Sequence, residues 1–515
     1  MTSGVTGGNL ADLVRQAAER AGDKAALVFR DTTTTWAELD ARVDRAAAGL
    51  LSLGLVAGDR VAVQLGNTPD FPAVYFGALR AGLVAVPVNT GYTADELAHV
   101  LGDSGAKVLV TSRSGAAAAP TGPQLVVADV DTAPEGAMSL DALLDRGTGT
   151  GGTGTGSTGT GSTGTGGTAG GEDLAVVVYT SGTSGRPKGA MLSHRALLAN
   201  LDQCAQIDPP VVESDDVVLL VLPLFHIYGL NGGLGMVARH AATGVLAERF
   251  DPVETLELIR SCQVTNVVGA PPMYVAWSML PDVGDAFTTV RLALSGSAPL
   301  PATVLHRVLD VTGHHVFEGY GLTETAPVLT TTLMSEVAKP DSIGRPVPGV
   351  ELELRDESGA PVEEGDPGEV VVRGDNLFSG YWPGGEGGPD ADGWWATGDV
   401  AVIDDDGDLH LVDRRRELIL VSGFNVYPRE VEEVLATHDD VEEAAVIGIA
   451  HPYTGESVKA LVVLREGARL SADDVIAHAA RSLARFKCPT SVEFVTELPH
   501  SATGKVSKGR LREQA

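Results

Sequence analysis

Three cysteines, Cys204, Cys262 and Cys488, are scattered through 515 residues. They are too few and too far apart for a disulfide framework or a cysteine-rich metal site, so they read as reduced thiols of a cytoplasmic protein. Long apolar runs are missing too. The longest, residues 217–222 with Leu224 and Phe225 beyond Pro223, falls far short of the roughly 20 residues that a membrane-spanning helix needs. The opening MTSGVTGGNL has no basic or apolar region of the kind a signal peptide carries, and none is expected. Positive charge is scarce: 37 Lys and Arg stand against 68 Asp and Glu, a net charge of −31. That balance argues against nucleic acid or an anionic membrane as a partner.

What is present fits a soluble globular chain long enough for two or three domains, with 43% hydrophobic and 20% charged residues. The charge is uneven. From Arg414 onward 14 basic residues nearly balance 15 acidic ones, so almost the whole excess lies earlier. Residues 481–512 are locally basic, seven against two, and are either a solvated face or a surface that meets an anionic ligand.

Alternating strand and helix patterns run from the start. Thr35 and Glu38 form a capping box that opens a helix with Trp36, Leu39, Val43, Ala46 and Leu50 on one face. Strands are expected at residues 60–65, 83–88 and 107–111, with helices at 71–80 and 93–101 between them. This alternation predicts a mostly parallel sheet covered by helices. Further buried strands are expected at residues 217–223, 264–270 and 291–294, and residues 316–325 read as strand into loop. Antiparallel strands follow at 351–355 and 368–373, then a hairpin turning at residues 404–407. After Arg414 the texture changes to a compact α+β unit of about 100 residues. The predicted organisation is an N-terminal domain over 1–413 and a C-terminal domain over 414–515, with a hinge near 414–416. Residues 147–171, made of Gly, Thr, Ser and Ala, interrupt the first domain and should be disordered.

The most telling stretch is VVYTSGTSGRPKGAMLS, residues 177–193. A buried strand breaks into Thr180, Ser181, Gly182, Thr183, Ser184, Gly185 and Lys188, and Ser193 reads as the N-cap of a helix. Small residues let the backbone approach a ligand and turn N–H groups the same way, and the hydroxyls and the lysine add donors. Strand, loop and helix are the layout of a phosphate site, although the spacing is not the Walker pattern. Alone, the same composition would also suit a flexible surface loop.

Five motifs in order, TSGTSGRPKG, YGLTE, TGD, DRRRELILVSGFNVYPREVE and PHSATGK, make the chain resemble the adenylate-forming superfamily of acyl- and aryl-CoA synthetases, luciferases and peptide-synthetase adenylation domains. The likeness runs from about Leu10 to Arg512. It implies an α/β fold: a large N-terminal domain of mixed, mostly parallel sheets with packed helices and a β-subdomain, and a small mobile C-terminal α+β domain. It implies ATP, Mg2+ and coenzyme A as co-substrates and cofactor. By resemblance, the loop over Thr180 to Lys188 holds the ATP phosphates and Glu324 contacts Mg2+, a hard cation suited to carboxylate oxygen. Tyr320 stacks on adenine, with Gly319, Gly321 and Thr323 beside it, and Gly296, Ser297 and Ala298 form the other wall. Asp399 and Arg414 contact the ribose, Gly423 belongs to the face that serves the thioester step, and Lys505 is the catalytic lysine. Lys505 also resembles the site at which a lysine acetyltransferase controls related enzymes.

His226 matches the residue bordering the carboxylate pocket, and Phe225-His226 lacks the Asp that would pair an amino-acid ammonium. Gly321 stands where acetyl-CoA synthetases carry a pocket-shortening Trp. The expected substrate is therefore a medium- or long-chain fatty acid, with aryl acids such as cinnamates second. An acyl-AMP ligase loading a carrier protein and a P-loop-like hydrolase are the remaining alternatives.

Overall fold

The computed structural model describes residues 7–130, 132–148, 169–180, 187–335, 337, 339–363, 365–414, 419–421, 424–451, 455–483, 485–500 and 506–514. Among them the strands form four sheets, of nine, seven, four and five strands. In the seven-stranded sheet Val108–Thr111, Arg60–Gln64, Val84–Pro87 and Leu174–Thr180 lie side by side, all parallel. In the nine-stranded sheet Val316–Gly321, Leu292–Ser295, Asn266–Gly269, Val217–Leu220 and Thr243–Leu246 are parallel, and antiparallel strands close both edges. The fold is the expected α/β class with mostly parallel sheets. Parallel strands need helical crossovers, which bury both sheet faces. Accordingly Val61, Val63, Val176, Val218 and Val267 are wholly buried.

The helices dock through faces visible in the sequence. Helix Trp36–Ser52 starts at Thr35, whose hydroxyl accepts the Glu38 N–H while the Glu38 carboxylate accepts the Thr35 N–H. It buries Trp36, Leu39, Val43 and Leu50 against helix Asp70–Arg80. A second aromatic cluster joins Trp277 edge-on to Phe250, Tyr274 and Phe287 at 5.4–5.9 Å. Its indole N–H donates to Thr255 at 3.0 Å. Each such fully buried side chain contributes about 1.5–3 kcal/mol of transfer free energy before entropy is subtracted.

One local expectation changes. The sequence reads strand, loop, helix around residues 174–204, but the structure interposes strand Lys188–Ser193, antiparallel to Leu174–Thr180 with Thr180 facing Lys188. The two flanking strands therefore pair as a hairpin. Strand Lys188–Ser193 has no β-branched residue to mark it, and its formation rests on pairing. Ser193 still caps helix His194–Cys204 by accepting the Ala196 N–H at 3.1 Å.

The antiparallel four-stranded sheet comprises Glu351–Arg355, Gly368–Arg373, Trp395–Ile403 and Leu409–Arg414. Its last hairpin turns at Gly407, whose φ of +88° suits glycine. Asp404, Asp406 and Asp408 of this turn converge on Lys339 Nζ at 2.6, 2.7 and 3.3 Å, and Arg345 Nε reaches Asp408 at 2.7 Å. The Lys339 ammonium holds the Asp404 carboxyl well below the usual carboxylate range.

Residues beyond Ile419 build their own sheet around strands Val441–His451 and Gly455–Leu464. Alternate residues face opposite cores: Val446, Ala460 and Val462 pack with Val431, Leu435 and Val475, while Ala445, Ile447 and Leu461 pack with Leu498 and Leu511. The Gly/Thr stretch at 149–168 lies outside the described residues. Its flanks are anchored, since Ala169 O accepts from Asn9 Nδ2 and Gly171 N donates to Gly8 O. No helix among the described residues is long and apolar enough to cross a membrane.

Candidate active site

A cleft of about 2140 Å3 collects the C-terminal ends of parallel strands from both large sheets. Ends of parallel strands, where loops diverge, are where α/β proteins leave room for ligands. Thr180, His226, Gly296, Ser297, Gly319, Tyr320, Gly321, Thr323 and Glu324, all singled out in the sequence, line it. Ala298 follows Ser297 but does not line it.

Between the two hairpin strands, Ser181, Gly182, Thr183, Ser184 and Gly185 lie outside the described residues. Both stems are fixed. The Tyr179 hydroxyl donates to Asp103 at 2.6 Å, and the Pro187 carbonyl meets His99 Nε2 at 3.1 Å. Gly189 has no space for a side chain: a Cβ would stand 2.5 Å from Val177 Cγ1 and 3.3 Å from Trp382 Cβ. Lys188 holds its ammonium over the Tyr381 ring, 5.6 Å from the centroid.

Strand Val316–Gly321 delivers Tyr320 and runs into the tight turn Thr323–Thr325. Buried amides secure that turn: Asn376 Nδ2 donates to Thr325 O at 2.8 Å and Asn231 Nδ2 to Ala326 O at 2.7 Å. Ala326 takes a left-handed φ of +64°, a costly conformation for alanine that these bonds hold in place. A Cβ at Gly321 would lie 1.7 Å from Pro327 O. That glycine is thus required by the approach of two backbones, whatever its effect on the depth of the pocket.

Two carboxylates, Glu324 of the cleft lining and Asp399 outside it, are each held by a tyrosine hydroxyl. Tyr320 donates to Asp399 Oδ2 at 2.6 Å, and Tyr381 donates to Glu324 Oε1 at 2.6 Å. Asp399 and Arg414, paired in the sequence reading as ribose contacts, are cross-strand partners in register. Glu324 is 7% exposed, and its Oε2 has no hydrogen-bond partner among the described residues. No group of three or more His, Cys, Asp or Glu that could hold a metal occurs among the described residues. One fixed carboxylate with a free oxygen, and no protein cage, fits Mg2+, which keeps waters and takes phosphate oxygens for most of its shell.

His226 follows a segment pinned by Asn67, whose Nδ2 donates to Leu220 O and Leu222 O and whose Oδ1 accepts the Leu224 N–H. A π-helical turn, Tyr228–Gly235, comes next. Its wide spacing sets the Tyr228 ring where a Cβ on Gly232 or Gly296 would otherwise stand, at 2.9 and 2.7 Å. The sequence reading did not find the apolar lining formed by Cys204, Ile207, Val211, Met236 and Leu333. These residues sit on three separate stretches of the chain with no shared motif. Burial pushes the Cys204 thiol up to about 12, so it acts there as a small neutral group.

Lys505 and Gly423 lie outside the described residues, as do Arg415 and Arg416 of the expected hinge. The ends of the Lys505 loop are defined, however. His500 and Val506 form an antiparallel bridge, Ser507 N donates to Pro499 O at 2.7 Å, and His500 and Val506 both line the cleft. Lys508, Arg510 and Arg512 of the basic segment line it as well.

Residues 14–382 match the model of the AMP-binding enzyme family, and residues 430–505 match that of the AMP-binding enzyme C-terminal domain. A long-chain-fatty-acid–CoA ligase of Bacillus subtilis (strain 168) is 33% identical, with 98% of this chain and 94% of that protein covered. A feruloyl-CoA synthase of Amycolatopsis sp is 38% identical, with 94% of each covered. The solved structure of ATP-bound MatB from Rhodopseudomonas palustris is 33% identical, with a TM-score of 0.85 and 98% of both chains covered. Apo MatB gives 0.73 at the same identity and coverage. The chain belongs to the AMP-binding enzyme family, within the adenylate-forming superfamily, and to its acyl-CoA synthetase branch.

Proposed function

We propose that this acyl-CoA ligase activates medium- or long-chain fatty acids, making an acyl-adenylate and then an acyl-CoA. The observation that carries the reading is the apolar lining at Cys204, Ile207, Val211, Met236 and Leu333, which opens into the same cleft as His226 and Glu324. Phe225 and His226 offer no carboxylate to pair an α-ammonium. In the first step a substrate carboxylate oxygen attacks the α-phosphorus of ATP, and the bond to the pyrophosphate oxygen breaks. Asp399 accepts the ribose hydroxyls, Tyr320 supports the adenine, and Lys188 and Lys505 offset charge on phosphate oxygens. Mg2+ held at Glu324 would neutralise phosphate charge. In the second step the CoA thiolate attacks the acyl carbonyl and AMP leaves. The C-terminal unit beyond the 414–416 hinge turns between the steps, with the face near Gly423 serving the second.

AMP formation measured with ATP, Mg2+ and CoA over acids from acetate to palmitate, plus ferulate and benzoate, tests the assignment. A maximum at C8 to C16 is expected, and Cys204→Phe should move it to shorter acids. A maximum at ferulate would replace this reading with the aryl-acid one, which the 38% identity to a feruloyl-CoA synthase favours. Product made on a carrier protein without CoA would point to an acyl-AMP ligase instead.

A further inference from the structure

The phosphate site is assembled from two different sheets. Lys188 comes from the hairpin of the seven-stranded sheet, and Glu324 from the turn that ends a strand of the nine-stranded sheet. Residues 378–382 bridge them. On one side Phe378 N donates to Glu324 O at 2.9 Å. On the other, Ser379 N donates to Met191 O at 2.9 Å, Met191 N to Gly380 O at 3.0 Å, and Trp382 N to Gly189 O at 2.8 Å. Trp382 is anchored in turn by its indole N–H on Asp103 O at 2.9 Å and by the Arg60 guanidinium 5.4 Å above its ring.

Tyr381 sits in the middle of this bridge and lines the cleft. Its hydroxyl donates to Glu324 Oε1 at 2.6 Å, its ring lies under the Lys188 ammonium, and it packs T-shaped with Phe378, the ring centroids 5.1 Å apart. We infer that Tyr381 is a positioning residue for the nucleotide phosphates. Its hydroxyl fixes the Glu324 carboxylate so that Oε2 stays turned to the cleft, and its ring holds Lys188 at the stem of the phosphate loop. The bridge makes the anionic and cationic halves of the site one mechanical unit. Hydrogen-bond partners of this kind orient the group that meets the metal. This rests on the assignment of Glu324 and Lys188 to the ATP site made above.

The test compares Mn2+·ATP and metal-free ATP binding to the full chain, by Mn2+ electron paramagnetic resonance and calorimetry. Tyr381→Phe keeps the ring and loses the hydroxyl. It should weaken Mn2+·ATP binding about tenfold while metal-free ATP binds as to wild type. Tyr381→Leu, which also removes the ring beneath Lys188, should weaken metal-free ATP as well. A merely structural role would weaken both ligands alike in Tyr381→Phe, and that result, or wild-type binding of both, overturns the inference. Glu324→Gln separates the two levels. If Glu324→Gln lowers Mn2+·ATP affinity and Tyr381→Phe does not, the ATP-site reading stands and the role of Tyr381 falls. If Glu324→Gln changes nothing, the ATP-site reading itself fails.

Discussion

Glu318, two residues before Tyr320, is a buried carboxyl with one satisfied oxygen. Oε2 accepts the Leu300 N–H at 2.9 Å, while Oε1 has no partner among the described residues. Burial, helped by the charge of Asp341 and opposed by the Leu300 N–H and Arg429, pushes it up to about 7. The folded state thus binds a proton that the unfolded state has released between the ordinary glutamate value and about 7. The stabilisation this proton gives is complete below the ordinary value and is lost as pH rises through about 7. Glu318→Gln should therefore raise the melting temperature at pH 8 more than at pH 5.5. Equal shifts at both pH values would show that the carboxyl titrates alike in both states. At this scale the sequence marked residues whose chemistry lies inside a motif, such as Glu324 and Asp399. It did not mark Tyr381 or the apolar lining, because their roles arise from contacts between segments far apart in the chain. The only local signal for Tyr381 was an aromatic after Gly380, which takes a φ of +89°.

Elements with a local cause were legible. The capping box at Thr35 and the hairpin at Gly407 each have partners within a few residues. Strand Lys188–Ser193 and the π-helical turn Tyr228–Gly235 were not. The first exists through pairing with Leu174–Thr180 and residues 378–382, and the second through the packing of Tyr228 against two glycines. The pairing of Val316–Gly321 with Val328–Thr331 carries a prediction of its own. Gly321→Ala should destabilise the protein by about 1–3 kcal/mol, the usual cost of forcing atoms into filled space, read as a lower denaturation midpoint. An unchanged midpoint would mean that the two strands part without cost, leaving pocket shape as the only constraint on residue 321.

In the whole molecule, the basic segment that carries Lys508, Arg510 and Arg512 along the cleft faces a chain whose net charge of −31 lies almost wholly before Arg414. If one mobile unit serves two reactions, removing Lys505 should affect only the first. Lys505→Ala should lower adenylation by roughly 10²–10³-fold and leave thioester formation from supplied acyl-adenylate intact. Equal losses in both half-reactions would count against the swing of the C-terminal unit. Stability at this scale has one further source of independence. The aspartate turn at residues 404–408 carries its own cation in Lys339, so its folding asks for none from solution. A chelator should therefore leave this sheet as firmly folded as before, read as an unchanged melting temperature with and without it.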